Sequence, residues 1–154
     1  MDIPFQFIQN QKALSLACST ANDVWIANVY VGVNQDRNIF FISPKDNKHS
    51  RMILENPKVA FSAVWFEEGN HKNRKGIQGL GLCRLAETED EISMGVRLHN
   101  QNFPDFKDSI TVEWIHDNKW GSSVWVLKPT FIKYWDDELY GEDGSEEFNY
   151  KKYQ

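Results

Sequence analysis

Residues Ile39–Ala60 read IFFISPKDNKHSRMILENPKVA, and they carry the clearest structural signals in the chain. The aromatic and β-branched residues of Ile39–Ser43 predict a strand. Asp46 or Asn47 can cap a helix over Lys48–Glu55, and the Asn-Pro pair that follows ends this helix. The segment therefore predicts a strand, a short loop, a helix and the start of another strand.

Short apolar segments lie on both sides of this unit. Ala13–Ser19 and Val24–Val33 predict a hairpin, because the turn between them carries Asn and Asp. Val59–Phe66 and Gly76–Ala86 predict a second pair of strands. Ser123–Trp135 is the last strand, and the proline within it indicates an edge or a bulge. About six strands at such short spacing are typical of an antiparallel barrel.

Helices interrupt the strands. Thr88–Asn100 begins with Thr88 and Glu91 at capping-box spacing, which predicts a helix. Ile3–Gln11 and Ser109–Ile115 predict two shorter helices. No repeat or linker divides the chain, so we expect a single domain over residues 1–140 and an acidic C-terminal tail over residues 141–154.

The net charge of −5 belongs to the end of the 154-residue chain. Seven acidic and two basic residues follow Trp135, whereas the preceding part has 15 of each and is neutral. Without a basic surface, nucleic-acid binding is not expected. No apolar run approaches the roughly 20 residues of a membrane span, and the N-terminus lacks the pattern of a signal peptide. We therefore expect a cytoplasmic protein without membrane contact.

The cysteines and histidines do not indicate a metal site. Cys18 and Cys83 lie far apart in apolar stretches and are expected to be buried thiols. The four histidines show no metal-ligand spacing.

The loop before the helix at Lys48–Glu55 favours anion binding. Unpaired amides and the helix dipole attract anions at a helix N-terminus. Lys45, Lys48, His49 and Arg51 add positive or hydrogen-bonding groups there. The alternative, which composition alone favours, is a solvated basic helix face.

The same segment resembles the flavin-phosphate segment of the pyridoxamine 5′-phosphate oxidase-like, FMN-binding split-barrel superfamily. The matching elements are Phe-Phe-Ile-Ser, a short loop, Lys-His and Leu-Glu-Asn-Pro-Lys-Val-Ala. The resemblance implies that Ser43 supplies a hydroxyl to the FMN phosphate. Asn47, Lys48 and His49 stand where the family usually has Ser, Arg and Lys, which are replaced here by weaker phosphate ligands.

Other segments extend the resemblance over residues 13–140. Asn28, Val29 and Tyr30 lie on the strand that the family places against the isoalloxazine ring. Gln78, in the segment Lys-Gly-Ile-Gln-Gly, is the candidate polar contact to the flavin; its alternative role is an ordinary outward-facing strand residue. Trp135 resembles the tryptophan that enters the flavin site from the partner subunit.

The resemblance implies a fold and a function. The expected fold is mainly β, a six-stranded antiparallel split β-barrel with flanking helices. The expected assembly is a homodimer with FMN at the subunit interface, and the expected activity is FMN-dependent oxidation or reduction of an unidentified small molecule. Asp136, Asp137 and Glu138 replace the arginine-bearing motif that follows the tryptophan in the oxidases. Repulsion of a phosphate there argues against true pyridoxamine-phosphate oxidase activity.

Two other functions remain open at this point. One is a non-enzymatic flavin carrier or sensor. The other is a split barrel adapted to haem or a deazaflavin. Haem requires an axial ligand, for which the candidates are His49, His71, His99 and His116.

Overall fold

The computed structural model describes residues 1–70 and 72–151. Within them the helices are α1 (Ile3–Gln11), α2 (Lys48–Glu55), α3 (Glu89–Asn102), α4 (Val112–His116) and α5 (Asp137–Tyr140). The strands are β1 (Ala13–Ser19), β2 (Val24–Tyr30), β3 (Gly32–Val33), β4 (Ile39–Pro44), β5 (Lys58–Trp65), β6 (Lys75–Leu85), β7 (Ser122–Asp136) and β8 (Ser145–Asn149).

All of these strands belong to one antiparallel sheet in the order β2-β1-β5-β6-β7-β4-β3, with β8 also paired to β7. The sheet curls strongly, so that β2 at one end approaches β4 near the other. The chain turns the corner at Val31, directly between β2 and β3. This arrangement confirms a mainly β, split-barrel architecture with flanking helices.

The predicted number of six strands was wrong, because the described residues form eight. The single segment predicted over Val24–Val33 is divided at Val31, where the chain leaves β1 and pairs with β4. The acidic segment after Gly141 contributes β8, whose charged residues gave no strand signal. No helix in the described part of the chain is long and apolar enough to cross a membrane.

Two apolar cores lie on opposite faces of the sheet. The interior of the half-barrel contains Trp125 and Leu127 from β7, and α1 packs Phe5 and Ile8 into it. The second core lies outside β4 and β7, where α3 and α4 cover them. Within the described residues, the outer side of β2, β1, β5 and β6 has no such helical cover.

Strand β7 contains the irregularity that its proline predicts. The pairing with β6 shifts register between Leu80 and Gly81, opposite Pro129. A Cβ on Gly81 would lie 2.7 Å from Leu127 Cδ1 and from the Lys128 carbonyl oxygen. The bulge therefore requires a residue without a side chain at position 81.

The acidic residues after Trp135 fold back onto the barrel. Asp136 is buried, accepts a 2.7 Å hydrogen bond from the Tyr134 hydroxyl, and caps α5 through its other oxygen. Asp137 lies 2.8 Å from the Arg74 guanidinium, which also contacts Asp143. These carboxylates therefore hold the end of β7 against the loop that precedes β6.

The N-cap predicted for α3 is present and is reinforced by an ion pair, whereas the reciprocal bond of the capping box runs from the N–H of Glu87 instead of Thr88. Thr88 Oγ1 accepts the backbone N–H of Glu91. The Glu91 carboxylate accepts two hydrogen bonds of 2.9 and 2.7 Å from the Arg84 guanidinium, and a third from the N–H of Glu87. The hydrogen bonds from Arg84 are the main reason that the pKa of Glu91 is lowered to about 2.

We expect Glu91→Gln to lower the free energy of unfolding at neutral pH by about 1–2 kcal/mol, because the bidentate pair is lost. A carboxylate with a lowered pKa adds stability above its unfolded value of 4.5, and this stability is lost as the pH falls toward 2. Urea denaturation should therefore show the two proteins converging at acidic pH. Asp90→Asn, in the same helical turn, is the control and should change stability by less than about 0.5 kcal/mol. A difference that does not depend on pH would contradict this role of the pair.

Candidate functional site

The junction between β4 and α2 contains a compact polar cluster. Ser43 Oγ lies 2.8 Å from His49 Nε2, and Asn47 Nδ2 donates to the same oxygen at 3.3 Å. The tautomer of His49 sets the direction of the first contact, because Ser43 Oγ can donate to Nε2 or accept from Nε2–H while it accepts from Asn47. Trp125 Nε1 donates to the Ser43 carbonyl at 3.0 Å and so fixes the end of β4.

Two of the three residues of the cluster, Ser43 and His49, are buried at the start of a helix without a side-chain cap, and Asn47 is exposed. Ser43 and His49 are 6% and 8% exposed, and burial lowers the pKa of His49 from its ordinary value. Asn47 occupies the N-cap position, but its amide turns to Ser43 and caps no N–H group of α2. Ser50 Oγ, in the first turn, is buried without a hydrogen-bond partner. These amide, hydroxyl and imidazole groups can donate hydrogen bonds to an anion bound at the start of the helix.

Lys48 connects this junction to the first hairpin. Its Nζ lies 2.8 Å from Asp23 Oδ2 in the β1–β2 turn and 4.5 Å from the centre of the Trp25 ring. The hydrogen bond from Lys48 is the main cause of the lowered pKa of Asp23. Asp23 therefore already neutralises the cation that the sequence assigns to phosphate.

Trp25 also borders the uncovered side of the sheet, which we call the outer face. This face is the side of β2, β1, β5 and β6, with the end of β7, that points away from the barrel interior. Ile26, Val64 and Leu80 on it are 64%, 65% and 52% exposed, which is unusual for adjacent large apolar side chains. Three adjoining depressions, of about 590, 460 and 390 Å³, run across it from Trp25 to Val64.

The structure divides the predicted site residues into two groups. Ser43, Asn47 and His49 form the junction cluster, with Lys48 beside them. The others, apart from Val29, are on the outer face; they are Asn28, Tyr30, Gln78 and Trp135. Val29 points into the interior core and is 8% exposed, so only its backbone is available to a ligand.

The outer-face residues differ in their contacts. Asn28 Oδ1 accepts a 2.9 Å hydrogen bond from Ser15 Oγ. The Tyr30 ring packs edge-on against Phe103 at 5.1 Å. Trp135 lies over Gly76, where a Cβ would come within 2.5 Å of its ring. Gln78 is exposed at the bottom of the 460 Å³ depression.

Sequence analysis did not identify several polar residues beside Gln78. Ser15, Ser62, Lys133 and Glu147 line the same depression. Their outward orientation follows from the period-two alternation of each strand, which the sequence shows. Their proximity depends on the pairing register across five strands, and no single strand carries that information.

Three of the four histidines are described by the structure, and they lie outside the depressions of the outer face. His99 packs against Phe103 and Phe106, and His116 forms a 2.8 Å contact with Glu89 on the helical side. Together with His49 they are the described histidines, and none of them lines the three depressions. His71, the fourth haem-ligand candidate, falls outside the described residues.

In sequence, the chain is similar to UPF0306 proteins. It is 28% identical to one from Photorhabdus laumondii over 136 residues, which are 87% of this chain and 85% of the relative. It is 29% identical to one from Yersinia pestis over 110 residues, 71% of this chain and 74% of the relative. No protein-family model matches the chain.

In structure, the chain resembles a haem-binding protein from Mycobacterium smegmatis, with a TM-score of 0.72 and 17% identity. The match covers 95% of this chain but only 56% of that protein. HutZ, the haem storage protein of Vibrio cholerae, gives a TM-score of 0.65 at 19% identity and 80% and 85% coverage. A putative 5-nitroimidazole antibiotic resistance protein from Bacteroides thetaiotaomicron gives 0.67 at 11%, with 84% and 79% coverage. These likenesses show a shared fold, consistent with the split barrel that the resemblance implies.

We expect His49 to titrate below the ordinary histidine pKa of 6.5, because its buried ring is costly to charge. The unfolded chain then takes up this proton first, so stability falls as the pH drops below 6.5. His49→Gln should keep a hydrogen bond to Ser43 and remove this part of the pH dependence. Ring NMR signals give the pKa, and urea denaturation at two pH values gives the stability. Parallel losses in both proteins would assign the pH dependence to other groups.

Proposed function

We propose that this protein binds FMN, with the phosphate at the β4–α2 junction and the ring on the outer face. The observation that carries the proposal is the cluster of buried Ser43 and His49 with exposed Asn47 at the uncapped start of α2. An uncapped helix start with hydroxyl and amide groups suits a phosphate monoester. The cluster adjoins an apolar surface, as a molecule with one anionic and one flat end requires.

The junction can receive a phosphate with little rearrangement. The 3.3 Å contact from Asn47 to Ser43 is longer than the 2.8 Å contact from Ser43 to His49. An incoming phosphate oxygen can therefore accept from the Asn47 amide, and the Ser43 hydroxyl can donate to it when His49 Nε2–H donates to Ser43. The Lys48 ammonium would have to leave Asp23 for the phosphate, or contact both anions at once.

The outer face fits the flat end of the ligand in chemistry. It offers apolar contact from Ile26 and Leu80, together with the amides of Asn28 and Gln78. A bound flavin supplies hydride or electron transfer, so the chain needs no nucleophile of its own. The roles of these side chains are binding and orientation.

The same face supports the proposal of a homodimer. One chain leaves its large apolar side chains in solvent, and a second copy would cover them. A cofactor lying on the face would then be enclosed between the two copies.

Haem is the second candidate, and the likenesses to a haem-binding and a haem storage protein favour it. The described histidines oppose it, since His49 is bonded to Ser43 and the other two lie away from the outer face. Flavin needs no axial ligand and therefore fits this face better.

The first test is the visible spectrum of protein mixed with FMN, or separately with haemin, after gel filtration. With FMN, we expect about one retained FMN per chain. With haemin, we expect no Soret band of haem bound through a histidine. Retention of haemin alone, lost in a His99→Ala or His116→Ala variant, would replace flavin with haem.

Ser43→Ala combined with Lys48→Ala should weaken FMN binding at least about tenfold, because charge-assisted contacts to the phosphate are lost. Riboflavin, which has no phosphate, should bind the variant and the parent protein equally. The matched control is Lys107→Ala with Ser109→Ala, in the turn after α3. Unchanged FMN affinity in the first variant would place the phosphate elsewhere.

Leu80→Asp should convert the dimer to a monomer, because it buries a carboxylate in an apolar interface. Leu139→Asp is the control, since the two leucines are 52% and 53% exposed but Leu139 lies on α5. Sedimentation velocity measures the outcome. Dimers that persist in Leu80→Asp, or a parent protein that is already monomeric, would remove the outer face as the interface.

A further inference from the structure

Six polar side chains form one continuous row across the outer face. Each is the cross-strand partner of the next through β2, β1, β5, β6, β7 and β8; they are Asn28, Ser15, Ser62, Gln78, Lys133 and Glu147. Side chains in directly opposed positions lie roughly 5 Å apart. We call this set the polar row.

Apolar rows flank the polar row on both sides. Ile26, Ala17, Ala60, Leu80 and Phe131 are paired across the strands on one side. On the other side, Val64 and Trp135 flank Gly76. The polar row is therefore a narrow strip of hydrogen-bonding groups within an apolar surface.

The middle of the polar row has unused bonding capacity. Ser15 and Asn28 are bonded to each other at 2.9 Å. Within residues 1–70 and 72–151, Gln78 and Lys133 make no hydrogen bond to another side chain or to the backbone, and Lys133 has no ion-pair partner. Even Glu147, its cross-strand neighbour, forms no salt bridge with it. The half-buried residue Lys133, the Gln78 amide and the Ser62 hydroxyl therefore line the 460 Å³ depression together.

We propose that the polar row binds a second small molecule, an aromatic monocarboxylate, whose carboxylate is anchored by Lys133. Lys133 is the one cation among the residues that line this depression, and Glu147 is the one carboxylate. One ammonium beside neutral donors matches a single negative charge, whereas a phosphate dianion would meet repulsion from Glu147 without a second cation. The apolar rows supply contact for a flat hydrocarbon body.

This site shares Ile26, Gln78 and Leu80 with the proposed flavin surface, and it goes beyond the proposed function because binding of the monocarboxylate does not require FMN. Gln78 and Ser62 can donate to the second carboxylate oxygen or to a ring carbonyl. Lys133 thus determines specificity for charge, and the flanking rows determine specificity for shape.

The test uses 1-naphthoate as the probe and 1-naphthamide as its uncharged counterpart, with affinities measured by calorimetry on the full chain. We expect the parent protein to bind naphthoate about tenfold more tightly than naphthamide. Lys133→Met, which keeps the apolar stem, should remove this preference and leave naphthamide binding unchanged. Lys107→Met, an exposed lysine after α3, is the matched control and should behave like the parent.

The proposal is overturned if Lys133→Met binds naphthoate as the parent does, or if the parent does not distinguish the two probes. Glu147→Gln should strengthen naphthoate binding, and weaker binding would also overturn the proposal. FMN retention is measured on the same preparations. If the protein retains no FMN but shows the Lys133-dependent preference, the carboxylate site is supported and the FMN proposal fails. If the protein retains FMN but shows no such preference, the FMN proposal is supported and the carboxylate site fails.

Discussion

The backbone pairing of β7 holds the molecule together. This 15-residue strand pairs with β6 along one edge, while its other edge pairs first with β4 and then with β8. Pro129, which has no N–H group to donate, lies between the β4-paired and β8-paired parts and next to Thr130, the extra residue that forms the bulge in β7. At position 129 neither β4 nor β8 pairs with β7, so the missing N–H group costs no hydrogen bond to either strand. The β4–α2 junction, the outer face and the acidic segment are all positioned by this one strand.

The junction and the outer face are two chemically different surfaces that meet at one point. Lys48 on α2 reaches Asp23 and Trp25 on the first hairpin, so the polar cluster connects directly with the apolar depressions. A ligand that is charged at one end and flat at the other can span this meeting point. The polar row begins on the first hairpin at Asn28 and Ser15 and ends at Lys133 and Glu147 on the far side of the same face. The proposed phosphate site at the junction is thus separate from the proposed carboxylate site at Lys133.

Local signals in the sequence predicted the elements well. Some predictions depend only on neighbours within a few positions, and the structure confirms them. They are the strand, the helix and the Asn-Pro stop of residues 39–60 and the N-cap at Thr88. Features that depend on residues distant in sequence were not predicted. β8 is rich in acidic residues and is stabilised by pairing with β7, whereas its own composition opposes a strand. The candidates Ser43, Asn47 and His49 were found because they are close in sequence, but Lys133 became visible only through the register that places it beside Gln78. The neutralisation of Lys48 by Asp23 likewise depends on a contact across 25 positions.

The charged residues of β8 have a consequence for how the protein behaves when crowded. β8 lies off the main strand path and pairs with β7, and Glu146 and Glu147 on it are exposed. Two molecules that approached each other along unpaired strand edges would bring these carboxylates together in the same narrow space. The repulsion opposes ribbon growth from molecule to molecule. The negative charge of β8 thus opposes association of the molecules through their strand edges, and this repulsion weakens as salt screens it.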